Sequence, residues 1–278
     1  MPGIAVVTGP THGIGRATAL GLARAGFDVV LLARNTPLAE DVARAVRGLA
    51  RTAWVMRCDL ASLASVRGAA QAVATAVPHV DVLVNNAGMM PTRRAMTVDG
   101  FEESFAVNQL APFLLTHELL PIMPTGRIVN VASAVYRLGR FDAVTIESTE
   151  APFSLAAAYA QSKLANVAFT LGLAERLHAA GRPVTVNCLH PGVVATHLLP
   201  DRRRWQRALF GFAGLFMRSP ERGARTSIHL ATSPVVTGVS GRYFDARQRV
   251  RPLRGAVRDP ALRDAIWQFC ASRTGVGA

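Results

Sequence analysis

Ile4-Ala5-Val6-Val7-Thr8-Gly9-Pro10-Thr11-His12-Gly13-Ile14-Gly15 sets the architecture of this chain. The apolar, mostly β-branched start reads as a short strand that stops at Gly9. Gly13 and Gly15 then open a segment with helical periodicity over residues 14–25. A glycine at the strand end permits a tight turn. Glycines at the helix start let backbone N–H groups approach a pyrophosphate at the positive end of the helix. Gly9, Thr11, His12, Gly13, Ile14 and Gly15 are therefore candidate phosphate contacts. The spacing is TGxxxGxG rather than GxGxxG, and glycines alone also merely build turns. The place of these glycines between a strand and a helix gives them weight.

Outward from this loop, apolar runs alternate with helical patterns. Strands are expected at 28–33 (DVVLLA), 54–58, 80–85 (VDVLVN), 127–132 (RIVNVA), 184–189 (VTVNCL) and 241–244. Helices are expected at 38–50, 63–77, 101–120, 157–180, 221–231 and 259–271. The strands are nearly continuous in apolar character, as when helices cover both sheet faces. Repeated strand–helix order with right-handed crossovers gives a parallel sheet. The expected class is α/β: a Rossmann-type doubly wound sheet of about seven strands, in one domain spanning 1–278. No Pro/Gly/Ser-rich linker, repeat or low-complexity tract divides the chain.

Composition narrows the setting. The N-terminus shows no signal-peptide pattern, and no run of about 18 apolar residues suggests a spanning helix. Cys58, Cys188 and Cys270 are far apart and odd in number; buried free thiols are expected, with no disulfide framework and no metal site. A reducing cytoplasm fits. The net charge is +13, of which residues 201–278 hold 15 basic against 5 acidic side chains. The arginines are scattered without a nucleic-acid module, so no nucleic-acid partner is expected. Of 31 basic residues only Lys163 is lysine.

Five ordered motifs then resemble the short-chain dehydrogenase/reductase family. They are the TGxxxGxG loop, Asn85-Asn86-Ala87-Gly88, Asn108 with Ser133, Tyr159-Ala160-Gln161-Ser162-Lys163, and Pro191-Gly192 with Thr196. The resemblance covers about residues 4–245, and YAQSKLAN (159–166) is similar to the retinol-dehydrogenase/WW-domain-oxidoreductase-like branch. It implies a nicotinamide-dependent oxidoreductase with Asp59 and Leu60 beside the adenine, Asn86 and Gly88 along its ribose, Thr196 and the backbone near Val194 at the carboxamide, and Ala87, Pro191 and Gly192 among the cofactor contacts; a start to the next helix is the alternative for Asp59. It also implies a homodimer or homotetramer, packed through the helices after strands four and five; the alanine-rich face around 156–168 would permit this. Pro10 departs from the family by removing one N–H from the loop.

Strand two ends in Leu31-Leu32-Ala33-Arg34-Asn35, without the acidic residue that would hold a ribose 2′-hydroxyl. Arg34 could pair with a 2′-phosphate instead, so NADP(H) is the expected cofactor; a solvated strand-end arginine is the plainer alternative.

Tyr159 and Lys163 lie one helical turn apart and share a face. A free phenol titrates near about 10. A neighbouring ammonium favours phenolate, so the lysine is expected to lower the tyrosine and make it an acid/base. Ser133 would hydrogen-bond the substrate oxygen, with a turn-capping role as the alternative. Asn108 would hold a relay water for Lys163, or satisfy buried backbone groups, or both.

Residues 201–218 carry Trp205, Leu209, Phe212 and Phe216 near helical spacing among arginines. A segment covering the substrate at about 197–220 is the first reading; a membrane-surface helix and a packing face are the others. With Met89, Met90 and Leu198 it points to a lipophilic or aromatic carbonyl or alcohol. A non-catalytic NADP(H)-binding regulator, and an epimerase or dehydratase, remain the competing functions. Against the first, tyrosine, lysine and serine all persist. Against the second, the chain has no length for an added substrate domain.

Overall fold

The computed structural model describes residues 2–192 and 219–277. Seven parallel strands form one sheet in the order β3-β2-β1-β4-β5-β6-β7. They are β1 (Ile4–Thr8), β2 (Asp28–Ala33), β3 (Ala53–Arg57), β4 (Val82–Asn85), β5 (Gly126–Val131), β6 (Val184–Leu189) and β7 (Tyr243–Phe244). All five residues of β1 are buried, as its unbroken apolar character requires of a strand sandwiched between helix layers.

Helices α1 (Gly13–Arg24), α2 (Thr36–Arg47) and α3 (Leu63–Ala76) serve the first half of the sheet. The second half carries α4 (Glu103–Phe105), α5 (Ala111–Leu119), α6 (Ala143–Glu147), α7 (Leu155–Ala179), α8 (Pro220–Thr232) and α9 (Pro260–Thr274). Local chemistry fixes the ends. Asn35, Ser62, Ser154, Ser219 and Asp259 each accept a first-turn N–H, and Gly275 closes α9 in the left-handed region at φ 64. Two cores flank the sheet. One gathers Leu22, Val42, Val46 and Leu230 beneath α1, α2 and α8; the other gathers Val73, Leu114, Leu164 and Phe169 beneath α3, α5 and α7.

The helix expected over 101–120 is broken. After α4, residues Ala106–Leu110 form a π-helical turn, and α5 begins only at Ala111. Pro112 explains part of this. It has no N–H to offer the carbonyl four residues back, which is that of Asn108. The expected start of β7 at 241 is also late, because Gly241 sits at φ 69, outside the strand region.

Of the alanine-rich face around 156–168 expected for subunit packing, Ala156 and Ala157 are exposed. Ala160, Ala165 and Ala168 are buried, and Trp267 of α9 packs on Phe113 of α5 and Phe169 of α7 at 5.0 and 5.9 Å. Arg176 stacks over the same indole at 3.9 Å. No helix among the described residues is long and apolar enough to cross a membrane.

Candidate active site

The strand order reverses between β1 and β4, and the crevice outside their carboxyl ends is where doubly wound sheets take ligands. Here a cavity of about 480 Å³ opens. Gly9, Thr11, His12, Gly13, Ile14 and Gly15 form one wall and Arg34 one end; Asn86, Ala87 and Gly88 line it, and Tyr159, Lys163 and Pro191 complete it. These thirteen residues, far apart in sequence, meet as expected.

The glycine loop is closely packed. Gly9 and Gly13 have φ of 63 and 53. A β-carbon on Gly15 would lie 2.1 Å from the Gly9 carbonyl oxygen. Helix α1 starts without a side-chain cap, so its first N–H groups, which have no intrahelical partner, edge the cavity. Asn86 is the strut behind the loop. Its Nδ2 donates to the Thr8 and Gly9 carbonyls at 2.9 and 3.3 Å, while the N–H groups of Asn86 and Ala87 both donate to Thr8 Oγ1 at 3.0 Å. Pro10 is buried away from the cavity lining, so its missing N–H does not thin the cradle. Arg34 is exposed and makes no ion pair among the described residues; its neighbour Asn35 is spent on capping α2 through Leu38 N–H at 3.1 Å.

Three residues assigned by resemblance, Asp59, Leu60 and Gly192, are not among those that line the cavity. Asp59 accepts the N–H of Ala61 at 3.1 Å, making the turn that leads to the Ser62 cap, and does not line the cavity. Leu60 packs against the apolar core. Gly192 faces a neighbouring crevice. Val194, Thr196, Leu198 and residues 201–218 lie outside the described residues.

Tyr159 is half-buried and hydrogen-bonds the Ser133 side chain. Burial raises its pKa, and the Ser133 hydroxyl is what pulls it back down. The expectation that the lysine lowers the phenol is corrected here. Lys163 Nζ stands 5.8 Å from the ring centroid and is not among the causes that shift the phenol; it is itself pushed down to about 8 by burial. Ser133 also fulfils its alternative, accepting Val135 N–H at 3.4 Å at the start of a 3₁₀ turn.

Lys163 is 4% exposed. Its Nζ donates to Val131 O at 3.0 Å and Asn166 Oδ1 at 3.2 Å. Asn166 in turn donates Nδ2 to the Asn108 carbonyl at 2.5 Å, the carbonyl to which Pro112 offers no N–H. The Asn108 side chain is fully engaged: Oδ1 accepts Met89 N–H at 2.8 Å, and Nδ2 donates to Met89 O and Ser162 Oγ, both at 2.9 Å. It therefore clamps the loop after β4, and both its amide hydrogens are committed to protein partners. A β-carbon on Gly88 would meet Asn108 Oδ1 at 3.2 Å and Lys163 Nζ at 3.3 Å, so this glycine lets the loop pass over the pair. Sequence reasoning missed Asn166, Val131 and Ala132. Asn166 lies three residues after Lys163 on a helix whose 160–173 stretch is buried all round, which was the available signal. Val131 and Ala132 line the cavity because β5 ends there.

A family model described as short chain dehydrogenase matches residues 3–207. The chain belongs to this family. It is an oxidoreductase that works with a nicotinamide cofactor on a small molecule. Mouse polyprenol dehydrogenase is 41% identical over 284 residues, covering 99% of this chain and 84% of that protein. Human retinol dehydrogenase 14 is 38% identical, covering 98% and 86%. Among solved structures, a protein of Mycobacterium paratuberculosis superimposes with a TM-score of 0.80 at 32% identity, covering 99% and 96%. A blue fluorescent protein from a metagenomic library, in complex with NADPH, gives 0.70 at 29% identity, covering 87% and 95%.

Proposed function

We propose that this family member is an NADP(H)-dependent reductase of ketones or aldehydes, or dehydrogenase of the matching alcohols, acting on lipophilic or aromatic small molecules. The convergence of Tyr159, Lys163 and the glycine loop on one cavity carries the reading. Arg34 at its end, and the absence of an acidic residue after β2, support NADP(H): a carboxylate there would repel a 2′-phosphate, which a guanidinium fork would hold. An NADPH-bound structural neighbour agrees. Retinol and polyprenol dehydrogenases among the relatives support a lipophilic substrate, as do Met89 and Met90.

The bound nicotinamide supplies or accepts the hydride. The rest falls to the chain. A phenol whose pKa is raised by burial stays protonated at neutral pH and can donate to a substrate oxygen. The Ser133 hydroxyl, already bonded to Tyr159, would take the same oxygen and stabilise charge developing there. Lys163, pushed down to about 8, exchanges a proton near working pH and can restore the phenol. Asn108 and Asn166 position it. Assembly as a homodimer or homotetramer and a cytoplasmic setting belong to the same reading, the latter supported by three buried free thiols.

The test is oxidation of NADPH across a carbonyl panel, with NADH as comparator, on the wild type and Tyr159→Phe. Turnover should disappear in the variant while NADPH binding persists. Surviving activity would overturn the mechanism. Binding without turnover of any carbonyl would favour a regulator, and turnover without net NADPH consumption an epimerase or dehydratase.

A further inference from the structure

A second crevice, of about 390 Å³, lies across the turn that follows β6. Pro191 lines the dinucleotide cavity, while its neighbours His190 and Gly192 line this one. Five arginines, Arg137, Arg247, Arg249, Arg251 and Arg254, line it against one acidic residue, Asp245.

The fold builds this arrangement. After β7 the chain reverses sharply: Asp245 N–H donates to Arg249 O and Gln248 N–H to Asp245 O, both at 2.9 Å, with Gln248 at φ 63. Asp245 Oδ1 accepts the N–H groups of Arg247 and Arg249 at 2.8 and 3.1 Å. The returning segment pairs Val250 with Phe244, and Arg251 N–H donates to Tyr243 O at 2.8 Å. Alternate residues of an extended segment share a side, which groups Arg249 with Arg251. Arg254 N–H is tied to the Tyr136 hydroxyl at 3.1 Å.

The charge does not balance. Asp245 Oδ2 reaches Arg251 Nε at 3.8 Å. Among the described residues, Arg137, Arg247, Arg249 and Arg254 have no acidic partner. Four like charges around one opening repel each other unless an anion sits among them. Tyr243, 4% exposed, also lines the crevice, between Tyr136 and His190 at centroid distances of 4.9 and 5.8 Å. Its hydroxyl is buried and has no hydrogen-bond partner among the described residues.

We propose that this crevice binds a phosphate-bearing ligand, through a phosphomonoester or pyrophosphate group, beside the dinucleotide cavity and distinct from it. Planar guanidinium forks match phosphate oxygens in pairs, and several forks about one opening suit a multiply charged oxyanion better than a lone carboxylate. The group is either the far end of the substrate, reaching past the turn at Pro191, or a separate effector.

Isothermal titration with inorganic pyrophosphate at fixed ionic strength tests the site. The wild type should take up one pyrophosphate that survives excess NADP⁺. The exposed pair Arg249→Gln/Arg254→Gln should weaken it roughly tenfold or more, since each lost charge-assisted bond is of that order. Arg34→Gln in the dinucleotide cavity and Arg24→Gln on α1 should leave it within about twofold. No uptake by the wild type, loss with Arg34→Gln instead, or equal weakening by all three variants would overturn the proposal. Thermal melts matching the wild type exclude misfolding. Pyrophosphate competing with the carbonyl substrate marks the substrate's own tail; a changed kcat without competition marks an effector.

Discussion

Gly15→Ala adds one methyl group where the β1–α1 turn closes on itself. Its β-carbon would stand 2.1 Å from Gly9 O and 2.4 Å from Asn86 Nδ2. Neither yields easily. Gly9 O is backbone of a residue at φ 63, and Asn86 Nδ2 is the donor that ties the loop after β4 to the Thr8 and Gly9 carbonyls. Regaining tolerable contacts requires loop and helix to part by about 1 Å in an interior packed like a crystal. Overpacking of this kind costs about 1–3 kcal/mol, and losing the two Asn86 bonds adds about 0.5–1.5 kcal/mol each. The destabilisation is then about 2–6 kcal/mol. With an unfolding entropy of roughly 2 cal/mol/K per residue, Tm falls by about 3–10 °C. The same shift moves the first N–H groups of α1 out of register with a phosphate, so the NADPH Kd rises roughly tenfold to a hundredfold. Scanning calorimetry and an NADPH fluorescence titration read both effects. A Tm within about 1 °C of wild type, with unchanged NADPH affinity, would refute the described closure of the loop.

Three further outcomes follow from the site. Arg34→Glu should weaken NADPH by about 1.5–3 kcal/mol and shift the kcat/KM preference toward NADH; an unchanged preference would remove Arg34 from cofactor selection. Ser133→Ala removes the group that lowers the Tyr159 pKa, so the ionisation limb of alcohol oxidation should move to higher pH; a stationary limb would detach Ser133 from the phenol. Lys163 falls from 10.5 to about 8 in the folded chain. Below pH 8 the wild type carries the full cost of a buried ammonium; between 8 and 10.5 the unfolded chain binds more protons, so stability rises with pH. Relative to Lys163→Met, the wild type should gain on the order of 3 kcal/mol across that window in denaturant titrations, and a flat difference would show the amine is not held as described.

Strands and the phosphate loop were legible because their signals are local: an apolar run, a glycine, a helix period. Asn86, Tyr159 and Lys163 come together at one cavity because short motifs fix them relative to strand ends. The π turn at Ala106–Leu110 escaped because apolar periodicity runs straight through it, although Pro112 marked the break. The direction of the Tyr159 shift escaped for another reason. One helical turn of spacing says that two side chains share a face, but not which lies deeper. Here the lysine dives to Val131 O and Asn166 while the phenol turns to Ser133. Asp59, Leu60 and Gly192 were carried across by resemblance, and their surroundings depend on contacts no short motif encodes.

The one lysine of 278 residues has a chemical corollary. With Lys163 at 4% exposure, the folded molecule offers no lysine amine to acylating dyes, bifunctional esters, acetyl transfer or isopeptide tagging. Acylation of that side chain becomes a report of opening around α7, read at a single position against no lysine background.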